Sequence, residues 1–257
     1  MFIDTHCHLF NEYYDNIDEI INKCKENNIK RIIVSGVDMK SNKEVLELVN
    51  KYDIIYGSIG FHPTELDEFS YDDLVWLEEH INDKKIVAIG EIGLDYHYDN
   101  TDKEMQYDIL KRQLDVAQKY NKPIIFHSRD AIGDTYNILK GYKLKGSIHC
   151  YSGSVEMARE FTKLGYMIGV GGVVTYKNSK VLKEVVKDTD LSYILLETDA
   201  PYLSPEPFRG TRNDSSNIQE IAKVIAELKN TSILSVSRVT TSNAEGLFDF
   251  YVKWCYN

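Results

Sequence analysis

The chain opens with the stretch Phe2-Ile3-Asp4-Thr5-His6-Cys7-His8, an apolar segment that carries two histidines one residue apart. Because side chains on a β-strand alternate between its two faces, this segment places His6 and His8 on the same face. Two imidazoles on one face can bind a single ion, and imidazole favours transition metals. The first strand therefore predicts half of a metal site, and the remaining ligands must come from elsewhere in the chain.

The same alternation of a short apolar, β-branched run and a longer helical pattern repeats along the chain. The predicted strands cover residues 2–8, 31–37, 54–60, 86–92, 124–127, 146–149, 166–170 and 193–198. The predicted helices cover residues 15–27, 41–51, 71–82, 102–120, 132–139, 154–164, 179–187 and 217–228, with a further helix at 239–251. Alternating strands and helices require parallel strands with right-handed crossovers, and eight such units are typical of a closed α/β fold, the (β/α)8 TIM barrel. An open, doubly wound sheet is the alternative.

Length and composition favour one domain over residues 1–257. The chain shows no Ser/Gly-rich linker and no low-complexity tract. It also lacks a signal-peptide pattern and any run approaching the roughly 20 apolar residues that span a bilayer, so we expect a cytoplasmic protein without membrane contact. Free thiols are expected, because no CxxC spacing links the four cysteines, at positions 7, 24, 150 and 255.

The charge of the chain bears on its partners. The formal net charge is −10, which argues against an extended basic surface for nucleic acid, because duplex binding is driven by Lys and Arg. Surface charge is screened beyond about 8 Å at physiological ionic strength, so a pocket that holds two divalent cations could still attract one phosphate. An acidic chain and a phosphate substrate are therefore compatible.

Candidate ligands follow most of the predicted strands. In a barrel of this type the active-site groups lie at the carboxyl ends of the strands. Six of the eight predicted strands end near a side chain that can bind a metal or transfer a proton. These side chains are His6, His8, His62, Glu91, His127, His149 and Asp199. Five of the seven histidines are among them, a concentration that random placement would not produce.

Each of these residues also has an ordinary interpretation. A single histidine at a strand end is usually hydrogen-bonded locally, and Asp199 could cap a helix or form a loop salt bridge. The pair of His6 and His8 is a stronger signal. Glu91 follows small and apolar neighbours, where an unpaired charge would be costly and a cation is a natural partner. Taken together, the residues favour a metal site.

Six stretches surround these residues and follow one another along nearly the whole chain. They are Ile3-Asp4-Thr5-His6-Cys7-His8-Leu9, Gly60-Phe61-His62-Pro63, Gly90-Glu91-Ile92-Gly93-Leu94-Asp95-Tyr96, His127-Ser128-Arg129-Asp130-Ala131, His149-Cys150-Tyr151-Ser152-Gly153 and Glu197-Thr198-Asp199-Ala200-Pro201-Tyr202-Leu203. In this combination the sequence resembles the TatD family of metal-dependent deoxyribonucleases and related hydrolases. The HxH motif alone is less specific, since it occurs throughout the wider amidohydrolase group.

The resemblance implies a TIM barrel with two neighbouring divalent ions, of magnesium, manganese or zinc. The ligands implied are His6, His8 and Asp199 for one ion, His127 and His149 for the other, and Glu91 as the bridge. Two ions about 3.5–4 Å apart lower the pKa of a shared water and neutralise the attacking and leaving oxygens of a phosphodiester. Asp199 is then the candidate acceptor of the proton of water, although a carboxylate bound to a cation is a weak base.

Four further side chains are candidate substrate contacts. His62 is expected to contact a phosphate or to protonate the leaving oxygen, with a local hydrogen bond as the alternative. Arg129 is expected to pair with phosphate, or else with a nearby carboxylate. Arg209 and Asn213, in the loop after the last strand, are expected to position substrate or to support the loop. Asp95 is a candidate for orienting a metal-bound histidine, with a turn role as the alternative.

The function predicted from the resemblance is hydrolysis of phosphodiester bonds in DNA or an oligonucleotide, at a strand end or in single-stranded material. Fold and ligands do not identify a substrate by themselves. The first alternative is therefore an amidohydrolase-type reaction, in which the same ions activate water toward an amide or ester. A second alternative is a metal-binding protein without turnover, which the complete ligand set disfavours.

Overall fold

The computed structural model describes residues 1–98 and 102–250, which contain one eight-stranded parallel sheet. Its strands are β1 (Phe2–Cys7), β2 (Ile29–Ser35), β3 (Ile55–Ile59), β4 (Ile86–Asp95), β5 (Ile124–Arg129), β6 (Gly146–Ile148), β7 (Met167–Val170) and β8 (Ile194–Leu196). The strands pair in the order in which they occur in the sequence. All eight predicted strands are confirmed, with ends that differ from the prediction by three residues or fewer.

The sheet curves back so that β8 meets β1. Just beyond β8, the backbone N–H of Asp199 donates to the carbonyl of His6 at 3.0 Å, and the N–H of His8 donates to the carbonyl of Ala200 at 2.6 Å. The buried carboxylate of Asp4 accepts from the backbone N–H of Thr198 at 2.9 Å. These bonds join the first strand to the last, and the TIM barrel is confirmed over the open sheet.

Helices alternate with the strands and surround the barrel. Within the described residues they are α1 (Ile17–Glu26), α2 (Met39–Lys51), α3 (Asp72–His80), α4 (Lys103–Tyr120), α5 (Ile132–Leu139), α6 (Val155–Lys163), α7 (Lys180–Asp188), α8 (Ile218–Leu228) and α9 (Ile233–Leu247). Short 3-10 turns cover Gly172–Thr175, Leu191–Tyr193 and Ser215–Asn217. The first eight helices match the predicted ranges within two residues at each end.

Side-chain caps set where several helices begin. The carboxylate of Asp38 accepts from the backbone N–H of Ser41 at 2.7 Å, and the hydroxyl of Ser41 accepts from the N–H of Asp38 at 3.0 Å, which completes a capping box on α2. Asp102 caps α4 in a similar way, accepting from Met105 at 2.9 Å. These caps satisfy backbone N–H groups that have no partner within the helix.

The start predicted for the last helix was wrong. α9 begins at Ile233, six residues before the predicted position, because Ser232 caps it by accepting from the N–H of Ser235 at 3.1 Å. The serines in its first turns interrupt the apolar pattern that would predict a helix. One of them, Ser237, is nevertheless buried, and its hydroxyl donates to the carbonyl of Met1. The predicted end at residue 251 was also wrong, because α9 ends at Leu247 and residues 248–250, the last that the structure describes, are not helical.

The same helix covers the amino end of the barrel. Phe248 and Phe250 follow α9 and pack in an apolar cluster with strand residues that include Ile33, Ile125 and Leu195. The ring of Phe250 meets the ring of Tyr56 edge to face, at 4.8 Å between centroids. Because apolar side chains occupy this end, polar chemistry is left to the carboxyl ends of the strands.

Three further findings concern the organisation of the chain. No helix in residues 1–98 and 102–250 is both long and apolar enough to cross a membrane. Cys7, Cys24 and Cys150 are free thiols, and Cys255 lies outside the described residues. The interpretation of residues 1–257 as one domain stays a prediction, because residues 99–101 and 251–257 are not described.

Candidate metal centre

The predicted ligands converge at the carboxyl end of the barrel. His6 and Glu91 lie within β1 and β4, His127 lies near the end of β5, and His8 and His149 directly follow β1 and β6. Asp199 and the predicted substrate contact His62 lie three residues beyond the ends of β8 and β3. All are buried except His127, which is partly exposed. Alternation of side chains along the strands explains part of this convergence. Ile125 faces the interior of the barrel, and His127, two residues later, faces the same way.

Glu91 is the centre of the cluster, and its two oxygens face different histidines. Its Oε2 atom lies 3.3 Å from Nε2 of His6 and 3.4 Å from Nε2 of His8. Its Oε1 atom lies 2.9 Å from Nδ1 of His127 and 2.9 Å from Nε2 of His149. The carboxylate therefore separates two groups of imidazoles, as a bridging ligand between two ions would.

A local irregularity of the sheet accompanies the placement of Glu91. The register between β4 and β5 shifts between Ile89 and Ile92, and the backbone N–H of Glu91 donates to the carbonyl of Gly36 at 2.9 Å. Irregularities of this kind re-aim a side chain at the rim of a barrel. The charge of Glu91 is well supported: burial would raise the pKa of this carboxyl, but His149, His62 and His6 lower it well below its usual range.

Asp199 supplies a second carboxylate on the side of His6 and His8. Its Oδ1 atom lies 3.5 Å from Nε2 of His6 and 3.6 Å from Nε2 of His8. Burial would raise the pKa of Asp199, but its bonds to the two histidines lower it overall. Asp199 is therefore ionised at neutral pH.

Three overlapping groups of side chains within residues 1–98 and 102–250 have ligand atoms close enough together to hold a cation. These groups are His6 with His8 and Glu91, His6 with His149 and Asp199, and His62 with Glu91 and His127. In each group the ligand atoms lie within 4.8 Å of one another.

The hydrogen bonds of His8 show that a cation fits between it and the two carboxylates. Its Nδ1 atom lies 3.0 Å from the carbonyl oxygen of Ser35, which can only accept, so Nδ1 carries a proton. In a neutral ring the lone pair of Nε2 then faces the oxygens of Glu91 and Asp199. Such an arrangement is repulsive unless a proton or a metal ion lies between the atoms.

The pKa of His8 agrees with this geometry. Burial alone would lower the pKa of the imidazole, but the bonds to Asp199 and Glu91 raise it to about 10. In the metal-free protein a proton on Nε2 therefore occupies the position that a divalent ion would take. Buried imidazoles with two ionised carboxylates are a donor set that suits divalent transition metals.

His62 differs from the other histidines of the cluster. Its Nδ1 atom accepts from the backbone N–H of Thr64 at 3.2 Å, so the proton lies on Nε2, which is 3.4 Å from Oε1 of Glu91. Burial lowers the pKa of His62 to about 4, with Glu91 opposing the effect. A neutral imidazole with its proton on the atom that faces the centre is a hydrogen-bond donor there rather than a ligand.

Two further carboxylates lie beside histidines of the cluster, and one of them was not predicted. Asp95 lies 3.1 Å from Nε2 of His127, in agreement with the orienting role proposed from the sequence. Glu197 is fully buried, its Oε1 atom lies 3.5 Å from Nδ1 of His149, and the same oxygen accepts from the backbone N–H of Cys150. The signal that could have found Glu197 is its position two residues before Asp199, on the same face of an extended segment.

The two arginines predicted as substrate contacts lie beside aromatic rings. The guanidinium of exposed Arg129 lies 5.8 Å from the ring centroid of Tyr98, while the carboxylate predicted as its alternative partner, Asp130, lies 3.0 Å from Nδ1 of His97. The guanidinium of Arg209 lies 4.3 Å from the ring centroid of Tyr176. Both arginines are therefore held against aromatic rings at the surface.

Asn213 is fully buried, and protein groups occupy both ends of its amide. Its Nδ2 atom donates to the carbonyls of Thr198 and Tyr202 at 2.9 and 2.8 Å. Its Oδ1 atom accepts from the N–H of Asp214 and from Nδ2 of Asn217, both at 3.0 Å. These bonds favour the loop-supporting alternative over contact with substrate.

A cavity of about 460 Å³ opens onto the cluster. Its lining includes the candidate ligands His8, Glu91, His127, His149 and Asp199. It also includes the acidic residues Glu12, Asp38, Glu44 and Glu65. Lys40 also lines it, and its ammonium lies 2.8 Å from the carboxylate of Glu12. The approach to the cluster is therefore acidic.

Comparison with known proteins identifies the family. The sequence model of TatD related DNases matches residues 3–249. An uncharacterized metal-dependent hydrolase of Bacillus subtilis, YabD, is 43% identical over 252 residues, which cover 96% of this chain and 99% of the relative.

Solved structures agree with the sequence match. The crystal structure of YjjV, a TatD homologue from Escherichia coli, superposes with a TM-score of 0.93 at 32% identity, covering 97% of this chain and 98% of YjjV. A TatD family hydrolase from Entamoeba histolytica gives a TM-score of 0.84 at 28% identity, covering 96% and 97% of the two chains. The chain therefore belongs to the TatD-related DNase family of metal-dependent hydrolases.

Proposed function

We propose that the protein is a deoxyribonuclease that hydrolyses phosphodiester bonds with the help of two divalent ions. The observation that carries the proposal is the two-sided environment of Glu91, together with the family match over residues 3–249. From the distances to the two carboxylates, the proposed ligands are His6, His8 and Asp199 on one side, His127 and His149 on the other, and Glu91 between them. Magnesium, manganese and zinc are the candidate ions.

Bound divalent ions would polarise the phosphoryl group. They would also lower the pKa of a bound water, so that it could lose a proton at neutral pH. The protein holds its own groups ready for this chemistry. Ser35 fixes two rings at once, because its carbonyl bonds to Nδ1 of His8 and its hydroxyl lies 3.0 Å from Nδ1 of His6. Buried, pre-positioned side chains of this kind need no reorganisation when the substrate binds.

We assign proton transfer to Asp199 and orientation of the substrate to His62. The carboxylate of Asp199 lines the cavity, and we assign it the proton of the attacking water. The low pKa of His62 keeps its ring neutral at neutral pH, so it is a poor acid for the leaving oxygen. Its Nε2–H group is better suited to donate a hydrogen bond to a phosphate oxygen.

The acidic approach to the cluster supports a DNA substrate that places few phosphates on the protein. Long duplexes bind through many cationic contacts, and the cavity lining offers Lys40, which is already paired with Glu12. Cleavage at a strand end or within single-stranded DNA is therefore the form of the activity that we propose. Arg129 and Arg209 stay candidate contacts for phosphates outside the cavity.

A direct assay tests the proposal. Protein loaded with magnesium, manganese or zinc is incubated with end-labelled oligonucleotides and, in parallel, with amide and ester substrates. We expect the oligonucleotides to be shortened, and we expect a chelator to abolish the reaction. Turnover of only the acyl compounds would replace the proposal with the amidohydrolase-type alternative.

A further inference from the structure

Three aromatic side chains line one wall of the cavity beside the candidate ligands. They are Phe10, Tyr13 and Tyr202, which we call the aromatic wall. The ring of Tyr202 lies 6.1 Å from the ring of His8 and 5.9 Å from the ring of Tyr13, measured between centroids. The ring centroid of Phe10 lies 6.2 Å from that of His8 and 6.4 Å from that of Tyr13. The rings therefore form a continuous surface that begins at the candidate ligand His8.

The aromatic wall is fixed to the same segments that carry the ligands. Tyr202 follows Asp199 by three residues, and its backbone N–H donates to the carbonyl of Asp199 at 2.9 Å. Its carbonyl accepts from buried Asn213 at 2.8 Å, and its hydroxyl lies 3.1 Å from the hydroxyl of Tyr13. The wall therefore has a set position relative to the cluster, although half of Tyr202 is exposed, at 50%.

The charges of the cavity restrict what can occupy this wall. The acidic residues Glu12, Asp38, Glu44 and Glu65 line the same cavity, and Lys40 is neutralised by Glu12. A second phosphate away from the ions would therefore meet repulsion rather than a cation. An uncharged, planar group attached to the phosphate at the ions is not repelled by the acidic lining and needs no cation as a partner.

A nucleotide has this form, because its base is neutral and lies one sugar away from its phosphate. Aromatic side chains beside a backbone site bind bases by stacking, and the interaction tolerates any base because every base has a π-face. Stacking requires a base that is free on one side, which a strand end or a single strand provides and the interior of a duplex does not. The wall would thus select the substrate that the acidic lining also favours.

We propose that the aromatic wall is a nucleobase subsite, in which Tyr202 stacks on an unpaired base attached to the phosphate held at the metal centre. This inference rests on the proposed function and names the part of the substrate that the protein recognises. Tyr202 is the principal contact, since it is the most exposed ring of the three. Tyr13 contacts Tyr202 through its ring and its hydroxyl, and Phe10 packs in turn on Tyr13.

The test uses a ligand that contains no diester bond. The probe is the deoxyribose 5′-monophosphate of the fluorescent base 2-aminopurine, and deoxyribose 5-phosphate is its partner without a base. Binding to the metal-loaded full-length protein is measured by fluorescence quenching for the first compound and by competition for the second. Stacking of one base contributes ~1–3 kcal/mol, so we expect the base-bearing compound to bind about 5- to 150-fold more tightly.

Variants assign this preference to the wall. Tyr202→Ala should abolish the quenching and bring the two dissociation constants within about twofold, whereas Tyr202→Phe should keep both because the ring remains. Tyr71→Ala removes a ring that is 60% exposed on the outer surface and is the matched control, which should behave as wild type. Circular dichroism and metal stoichiometry verify that each variant is folded and loaded.

The outcomes separate the subsite from the nuclease activity. Equal affinity of the wild type for both compounds, or full preference retained in Tyr202→Ala, would overturn the inference. A preference that depends on Tyr202 in a protein that cleaves no oligonucleotide would support the subsite and refute the proposed function. A preference together with cleavage supports both.

Discussion

The substitution Gly169→Ala probes how the barrel supports the metal centre without touching a ligand. Gly169 lies in β7, where a Cβ atom would be 2.4 Å from Oε2 of Glu197 and 2.9 Å from Cα of His149. Ordinary contacts of a Cβ atom begin at 3.4 Å. Glu197 cannot retreat freely, because it is fully buried and its other oxygen accepts from the backbone of Cys150. Either Glu197 or the backbone of His149 must therefore move.

The expected magnitude follows from this displacement. Overpacking a core position costs about 1–3 kcal/mol of stability, and loss of a group that orients a metal ligand typically costs about 10- to 100-fold in metal affinity or activity. Nε2 of His149 lies 2.9 Å from Oε1 of Glu91, so a shift of His149 changes the distance at the centre of the cluster. We therefore expect a folded protein whose metal affinity is about 10- to 100-fold weaker.

Isothermal titration calorimetry of the metal-free protein measures this loss, and thermal unfolding measures the stability. The matched control is Gly133→Ala in α5, where a Cβ would meet nothing within 4 Å and where Ala should stabilise the helix by about 0.5–1 kcal/mol. Metal affinity in Gly169→Ala equal to that of the wild type would refute the idea that Glu197 and His149 are coupled. The same loss of affinity in Gly133→Ala would show that the effect is not local.

Further predictions concern the ligands, the bound ions and the thiols. Glu91→Gln keeps the size of the side chain but removes its charge, and we expect kcat/KM for oligonucleotides to fall by at least about 100-fold, beyond the usual cost of losing an orienting group; unchanged hydrolysis would exclude the bridging role. Because the pKa of metal-free His8 is raised to about 10, metal binding at neutral pH should release a proton, and affinity should fall as pH decreases; a weakly buffered titration that shows no acidification would contradict this. Saturating metal should stabilise the fold by about 2.7 kcal/mol at a free concentration of 100 times Kd, measured by chemical denaturation, whereas stability independent of metal would argue against a specific site. Burial raises the pKa of the thiols of Cys7 and Cys24, so a thiol reagent should modify them only after unfolding, and mass spectrometry of the labelled protein would expose any early modification.

The barrel and the identity of the clustered residues were accessible from the sequence for physical reasons. Parallel strands bury both faces, so each strand appears as an apolar run, and six of the eight runs here end near a side chain that can bind a metal or transfer a proton. His6 and His8 had to share a face because the side-chain period of a strand is two, and their Nε2 atoms indeed lie 3.2 Å apart. The convergence of distant segments followed from the barrel topology rather than from any local signal.

Other features depend on contacts that the sequence does not encode locally. Asn213 looked like a substrate contact, but whether an amide is free depends on the loop around it, which here occupies both of its ends. Glu197 was overlooked because a fully buried carboxylate beside a ligand is meaningful only once its neighbour His149 is known. Tyr202 was likewise an ordinary residue until the fold placed its ring beside His8.

We infer that Glu91 lies between two ions, with His6, His8 and Asp199 on one side and His127 and His149 on the other. Crystals grown with manganese or zinc, and measured at wavelengths above and below the absorption edge of the metal, test it directly. We expect two anomalous peaks about 3.5–4 Å apart, one on each side of the Glu91 carboxylate. A single peak remote from Glu91, or full occupancy of both positions in a Glu91→Ala crystal, would contradict it.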